Sequence, residues 1–330
     1  MEKYEDAQYC NQDRNSSCRM ESLSTSLYIT LYIFFSLLSA VTVFLNLLVI
    51  ISISHFKQLH TPTDLLILSL AVSDLLVGLI VIPAMTVAIL EPCWVLGEYF
   101  CALLLYITFL SESSSLGNLV LISIDRYVAV CDPLMYHLKI TFSRTVCCIL
   151  INWWCSVIYD AFLIKIYVNV QVASKCFEEC YILDTVFWAN MMDLVISMIV
   201  PCSIIITLYL KIFVVARSQA RQISSKGAVT VSGVKTVQAN KSDRKAAKTL
   251  GIVIFNYLLF WNPFIYILFI FSSSNVASFI ASILPLLSSF INPIIYVFFY
   301  PWFKVTAKHI FCLTGSFVKT VSGYIQVLVM

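Results

Sequence analysis

Seven stretches of this chain stay apolar over the twenty or so residues that a helix needs to cross a bilayer: 27–53, 63–90, 100–128, 146–168, 185–213, 249–273 and 277–299. Most of the connections between them are short. The long one, from Tyr209 to Lys248, carries Gly, Ser and Thr at its centre, residues that do not define a packed domain. Polar groups also recur inside the spans: Asn46 in the first, Asp74 in the second, Asn292 in the seventh. Such groups are expensive in a membrane and face the interior of a helix bundle. Phe260-Trp261-Asn262-Pro263 and Asn292-Pro293 place prolines in the sixth and seventh spans, where a missing N–H frees carbonyls and makes a bend. The pattern predicts an all-α membrane protein in three regions. These are an extracellular N-terminal arm over 1–26, a seven-transmembrane helix bundle over 27–300, and a tail over 301–330. The tail opens with a short amphipathic eighth helix at 301–311 that lies on the inner leaflet.

Composition agrees. Of 330 residues, 60% are hydrophobic and 12% charged, which excludes an ordinary soluble globular chain. Lys57, Lys139, Arg144, Arg217, Arg221, Lys226, Lys235, Lys241, Arg244, Lys245, Lys248, Lys304 and Lys308 all fall in connections on one side. That bias places the N-terminus outside the cell and the chain in the plasma membrane. The net charge of +3 is this positive-inside bias and makes no case for nucleic acid. No apolar stretch precedes the polar N-terminal arm, so no cleaved signal peptide is expected. Asn15-Ser16-Ser17 is then an exterior glycosylation sequon.

The twelve cysteines divide by topology. Cys10, Cys18, Cys93, Cys101, Cys176 and Cys180 fall outside, where disulfides persist. Cys101 opens the third span and Cys180 sits before the fifth, and these two are expected to pair. Cys176 then has Cys10 or Cys18 as its partner. Cys131, Cys147, Cys148, Cys155 and Cys202 read as packing thiols. Cys312, past the juxtamembrane helix, is a palmitoylation candidate.

The third span ends in Asp125-Arg126-Tyr127, followed by Val128-Ala129-Val130-Cys131-Asp132-Pro133-Leu134-Met135-Tyr136. With Asn46, Asp74, Tyr209, Trp261-Asn262-Pro263 and Asn292-Pro293-Ile294-Ile295-Tyr296, this series resembles the rhodopsin-like G-protein-coupled receptors from Asn46 to Phe303. The resemblance implies a sodium pocket at Asp74, Ser115 and Asn292. It implies an activation switch built from Asp125, Arg126, Tyr127, Tyr209, Pro293 and Tyr296, with Asp243 available to pair with Arg126 at rest. Phe290 to Phe303, Asp243 to Ile252, and Glu91-Pro92-Cys93-Trp94 are similar to the trace amine-associated receptors, including fish-type olfactory members. The implied function is sensing of an extracellular amine, with a heterotrimeric G protein of the stimulatory, cAMP-raising class as partner.

Aminergic receptors hold the ligand ammonium with an Asp seven residues past the cysteine that opens the third helix; here that position is Thr108. Three other acids lie in the outer parts of the helices. Asp193 stands two turns before Pro201, where some fish members of the family also carry an acid. Glu112 shares a helix face with Thr108 and Ser115, and Asp160 lies seven residues past Trp153. An unpaired carboxylate is costly there, so an incoming ammonium is an economical partner for Asp193. Glu112 and Asp193 together would suit a diamine. Trp261 and Phe264 would floor the site, attracting the ammonium and excluding water. Leu286 replaces the family's usual outer tyrosine in the seventh helix, next to Pro285, so ligand orientation should differ from the common aminergic one.

Other classes fit less well. A transporter should show internal repeats, and none is evident. All four histidines, His55, His60, His137 and His309, map to one membrane edge, so neither an intramembrane enzyme nor a transition-metal site is expected. A retinal photoreceptor needs a lysine in the seventh span, and 277–300 has none. No cofactor is expected beyond a possible allosteric sodium ion. The surviving alternative is a rhodopsin-like receptor for a non-amine small molecule or peptide.

Overall fold

The computed structural model describes residues 24–56, 59–91, 96–169, 187–225, 251–257, 259–260 and 275–299. Among them there is no strand. Helix α1 is Thr25–His55, α2 is Pro62–Leu90, α3 is Gly97–Cys131 and α4 is Phe142–Asn169. Helix α5 opens over Phe187–Leu194 and continues over Val200–Ser225 after a widened turn. Residues 251–257 form part of α6, and α7 is Asn275–Phe299. Among the described residues five helices are long and apolar enough to span a membrane, with Ile283–Ile295 a shorter apolar stretch. The predicted eighth helix, the N-terminal arm and most of the predicted sixth span lie outside the described residues.

Helix starts and bends have local causes. Thr61 caps α2: its hydroxyl accepts from the Asp64 N–H at 3.2 Å and donates to the Asp64 carboxylate at 2.6 Å, with Pro62 in the first turn. Two π turns, Val77–Val81 and Val195–Ile199, each end two residues before a proline, Pro83 and Pro201. A proline in mid-helix has no N–H to donate and its ring clashes with the carbonyl four residues back, so a locally widened turn relieves both problems.

The interior mixes apolar side chains with many small polar ones, while the exterior is strongly apolar. Asn46, Ser73, Ser111, Ser114, Asn118 and Ser123 are all fully buried. Leu37, Leu150, Trp154 and Phe213 are exposed by more than half their surface. A lipid-facing surface explains the second set, and small polar residues that let helices approach closely explain the first. Many hydroxyls are satisfied on their own helix: Thr42 donates to the Leu38 carbonyl at 2.7 Å, Ser111 to Ile107 at 2.8 Å and Ser123 to Leu119 at 2.7 Å.

Helix α3 is the central post and packs against α2, α4 and α5, while α1 packs against α2 and α7. Leu66, Ile67, Leu70, Leu116, Leu119, Ile122, Ile205 and Val253 form one continuous core between these helices. Two glycines permit close approach. A Cβ on Gly78 would lie 3.0 Å from the Val43 side chain of α1, and one on Gly117 would run into the Asn152 amide of α4. That amide donates to the Ser114 carbonyl at 3.1 Å, so polar contacts and close packing fix the α3–α4 seam together.

The thiols correct one expectation. Cys202 is buried and serves as packing, but Cys147, Cys148 and Cys155 are exposed on α4. The apolar character of α4 concealed this, because in a membrane helix both the packed and the lipid-facing sides are apolar.

Candidate functional site

At one end of the bundle, Arg126 is 6% exposed and Asp125 1%. The Arg126 guanidinium pairs with the Asp125 carboxylate, with Nε to Oδ2 at 2.9 Å, and also donates to the Thr63 hydroxyl. Thr63 Oγ1 in turn donates to Asp125 Oδ2 at 2.8 Å, and the Tyr136 hydroxyl donates to Asp125 Oδ1 at 2.8 Å. Tyr136 stands in the single turn Tyr136–Lys139 that joins α3 to α4. Burial, and then the Asp125 charge beside it, push its hydroxyl pKa up to about 12, so it remains a donor. Three connected elements thereby hold the arginine inward. Tyr209 packs in the core beside Val130 and Ile212. Asp243 lies outside the described residues, as does the side chain of Tyr296.

In mid-bundle, Asp74, Thr108, Glu112, Ser115, Tyr257, Pro285, Leu286 and Asn292 line one narrow cavity of about 20 Å³. Asn292 Nδ2 donates to Asp74 Oδ2 at 3.0 Å, and its Oδ1 is buried without a hydrogen-bond donor among the described residues. Ser115 donates to Ser73 at 2.9 Å. Room for about one water or small ion, a carboxylate, a hydroxyl and an orphaned carbonyl oxygen make a hard-oxygen donor set that fits a sodium ion. Thr108 spends its hydroxyl on the Leu104 carbonyl at 2.8 Å and offers no charge.

Farther from Arg126, Glu112 of α3, Asp160 of α4 and Asp193 of α5 lie close enough for their charges to interact. Their surroundings differ. Asp160 is 1% exposed and accepts from Ser113 at 2.6 Å. Asp193 is half-buried; its Oδ1 accepts from Tyr159 at 3.0 Å and from Ser197 at 2.7 Å. No donor among the described residues occupies its other oxygen, and none reaches the Glu112 carboxylate. Lys165 is exposed on α4. The three acids do not converge as metal ligands: among the described residues no group of three His, Cys, Asp or Glu side chains could hold a metal ion. The arrangement brings three carboxyl groups together from three helices.

A family model described as "7 transmembrane receptor (rhodopsin family)" matches residues 45–296. The chain belongs to that family. It is 36% identical to trace amine-associated receptor 13c of Danio rerio over 326 residues, covering 94% of both chains. It is 37% identical to trace amine-associated receptor 6 of Pan troglodytes over 335 residues, 96% of this chain and 94% of the relative. It is 38% identical to trace amine-associated receptor 5 of Mus musculus over 311 residues, 89% of this chain and 88% of the relative. The chain is therefore a multi-pass G-protein-coupled receptor of the trace amine type, and not an enzyme.

The receptor brings several separately marked residues together. Asp74, Ser115 and Asn292 share one cavity, and Glu112 and Thr108 also line it. Cys101 is held in a disulfide whose partner lies outside the described residues. Cys10, Cys18, Cys176, Cys180, Asn15, Trp261 and Phe264 also lie outside them. Sequence reasoning missed Thr63 and Tyr136 around Asp125, Tyr159 and Ser197 around Asp193, Ser113 on Asp160, and Tyr257 in the cavity. Tyr159 had a visible signal, since it adjoins Asp160 in a span where acids had already been noted. The Thr63–Asp125 contact had none, because 62 residues separate the two partners.

Proposed function

We propose that the receptor senses an extracellular amine whose ammonium pairs with Asp193, and that it raises cAMP through a stimulatory G protein. The observation that carries this reading is the Asp193 carboxylate: two hydroxyls orient one oxygen, and the other has no donor among the described residues. A fixed, partly desolvated carboxylate without a protein cation is a good ammonium receiver. Thr108 removes the usual third-helix counter-ion, so the fifth-helix acid takes its place. Glu112, which also lines the ion cavity, and Asp160, bound by Ser113, place two further carboxyl groups near it. An odorant amine fits the resemblance to the fish-type olfactory members. The N-terminal arm, with Asn15 glycosylated, stands outside, and the eighth helix lies on the inner leaflet.

In this reading the arrangement that holds Arg126 with Asp125, Thr63 and Tyr136 is the resting, closed state. An amine that prefers the open bundle shifts the equilibrium by its differential affinity and releases this arginine to the G protein. Asp74, Ser115 and Asn292 are the residues that would hold a sodium ion, which supplies a positive charge against Asp74. Proximity of Glu112 to Asp193 favours one second reading, in which the ligand is a diamine with one ammonium on each acid.

The test is the cAMP response of cells expressing the receptor to a panel of mono- and diamines, with Asp193→Asn and Glu112→Gln alongside and surface expression matched. The Asp193 reading requires amine potency to fall roughly 30-fold in Asp193→Asn. A diamine response lost in both variants selects the second reading. Unchanged amine potency in Asp193→Asn removes Asp193 as the counter-ion, and silence to every amine favours a non-amine ligand.

A further inference from the structure

We propose that Cys147 and Cys148 form an S-acylation site on the lipid-facing side of α4, separate from the tail cysteine Cys312. Both thiols are free and exposed, and they are adjacent. They lie three and four residues after Arg144, about 5–6 Å along the helix. Arg144 is itself fixed at the end of the span, where its guanidinium donates to the carbonyls of Leu138 at 2.8 Å and Lys139 at 3.2 Å. The polar interfacial layer of a bilayer is roughly 6 Å deep on each side. The two thiols therefore sit where this layer gives way to hydrocarbon, the depth at which a membrane-embedded acyltransferase can present an acyl donor.

The surface above them continues the argument. Ile151, Trp154, Ile158 and Phe162 are exposed by 56%, 66%, 62% and 56%. With Cys147 they recur at helical spacing and make one apolar stripe about 22 Å long, comparable to an extended long-chain fatty acyl group. A chain attached at Cys147 or Cys148 would lie along that stripe with its carbonyl at the interface. The reaction needs a long-chain acyl-coenzyme A. The cysteine sulfur attacks the acyl carbonyl, a new thioester forms, the carbon–sulfur bond to coenzyme A breaks, and the thiol proton leaves with the coenzyme A sulfur. Cys155 is also exposed on α4 but lies a further seven residues, about 10 Å, into the hydrocarbon beyond Cys148. It should remain a free thiol. Cys131 is only partly exposed and lies off this stripe, at the end of α3.

The inference rests on the N-terminus-outside orientation, which antibody access to an N-terminal epitope on intact cells checks independently. The experiment is hydroxylamine-dependent acyl exchange on the full-length receptor, adding one mass tag per acylated cysteine. The Cys312→Ala receptor should keep one or two tags, and the further change Cys155→Ala should leave them in place. Adding Cys147→Ala and Cys148→Ala together should remove them. Absence of tags in Cys312→Ala at normal surface levels overturns the site. So do tags that follow Cys155, or a reductant-sensitive dimer through these cysteines in place of thioesters. If the combined variant does not reach the surface, mass spectrometry of the wild-type peptide containing residues 145–150 decides. A hydroxylamine-labile acyl group on that peptide supports the site, and two free thiols refute it.

Discussion

The receptor carries buried charge in two places and treats it in opposite ways. At the Arg126 end the two buried charges of Arg126 and Asp125 meet each other, and Thr63 and Tyr136 complete the set. In the three-acid site Glu112, Asp160 and Asp193 meet hydroxyls at most, with no cation among the described residues close to them. A buried ion pair with its hydrogen bonds made holds one arrangement firmly, whereas a carboxylate without a cation stays costly until one arrives. Under the proposed function, the first region acts as a latch and the second as a receiver.

Breaking the latch should have the largest effect. Asp125→Asn leaves the Arg126 charge without its carboxylate, weakening the closed state by about 3 kcal/mol, or roughly two orders of magnitude in the equilibrium. Agonist-free G-protein activation should rise sharply, as read by nucleotide exchange on membranes. Next comes the receiver. Asp193→Asn should cost about 2 kcal/mol of amine binding, roughly a 30-fold loss of potency, without changing basal activity. Equal amine potency in the two proteins would remove the contrast between the regions.

A smaller effect tests the frame that brings α4 to the site. Gly117→Ala forces a methyl group against the Asn152 amide and should cost about 1–3 kcal/mol, lowering the thermal midpoint of the detergent-solubilised receptor. The gentlest probe is Tyr136→Phe, which removes one donor from Asp125 and should raise basal activity by the equivalent of about 1 kcal/mol. Its pH dependence has a definite sign. The Tyr136 pKa lies at about 12, raised from 10.0, so the contact is fully present below the unfolded value and is lost as pH rises through the folded one. The difference between Tyr136→Phe and wild type should therefore stay constant through the physiological range. A difference that changes there would show that another group controls the latch.

Some of this was legible along the chain. Asp74 and Asn292 stand out because an ionisable or amide group in an apolar span is rare and expensive, and the two meet at 3.0 Å. The stripe from Thr108 through Glu112 to Ser115 follows from helical periodicity alone and lines a single cavity. The exposure of Cys147, Cys148 and Cys155 was not legible, since an apolar neighbourhood reads the same whether it meets lipid or protein. Asp160 is similar: its sequence neighbours do not show that Ser113, 47 residues away, closes over it.

The sequence by itself determined the helices, their number and their polar interior positions, because the bilayer leaves backbone groups no partner but their own helix. It also determined which unusual residues had to face inward. Only the tertiary structure decided which of those residues meet: Thr63 with Asp125, Tyr159 with Asp193, Asn152 over Gly117. Helix periodicity fixes the direction of a side chain around its own axis. The partner across the bundle depends on how neighbouring helices are rotated and raised against one another, which packing at positions such as Gly78 and Gly117 sets.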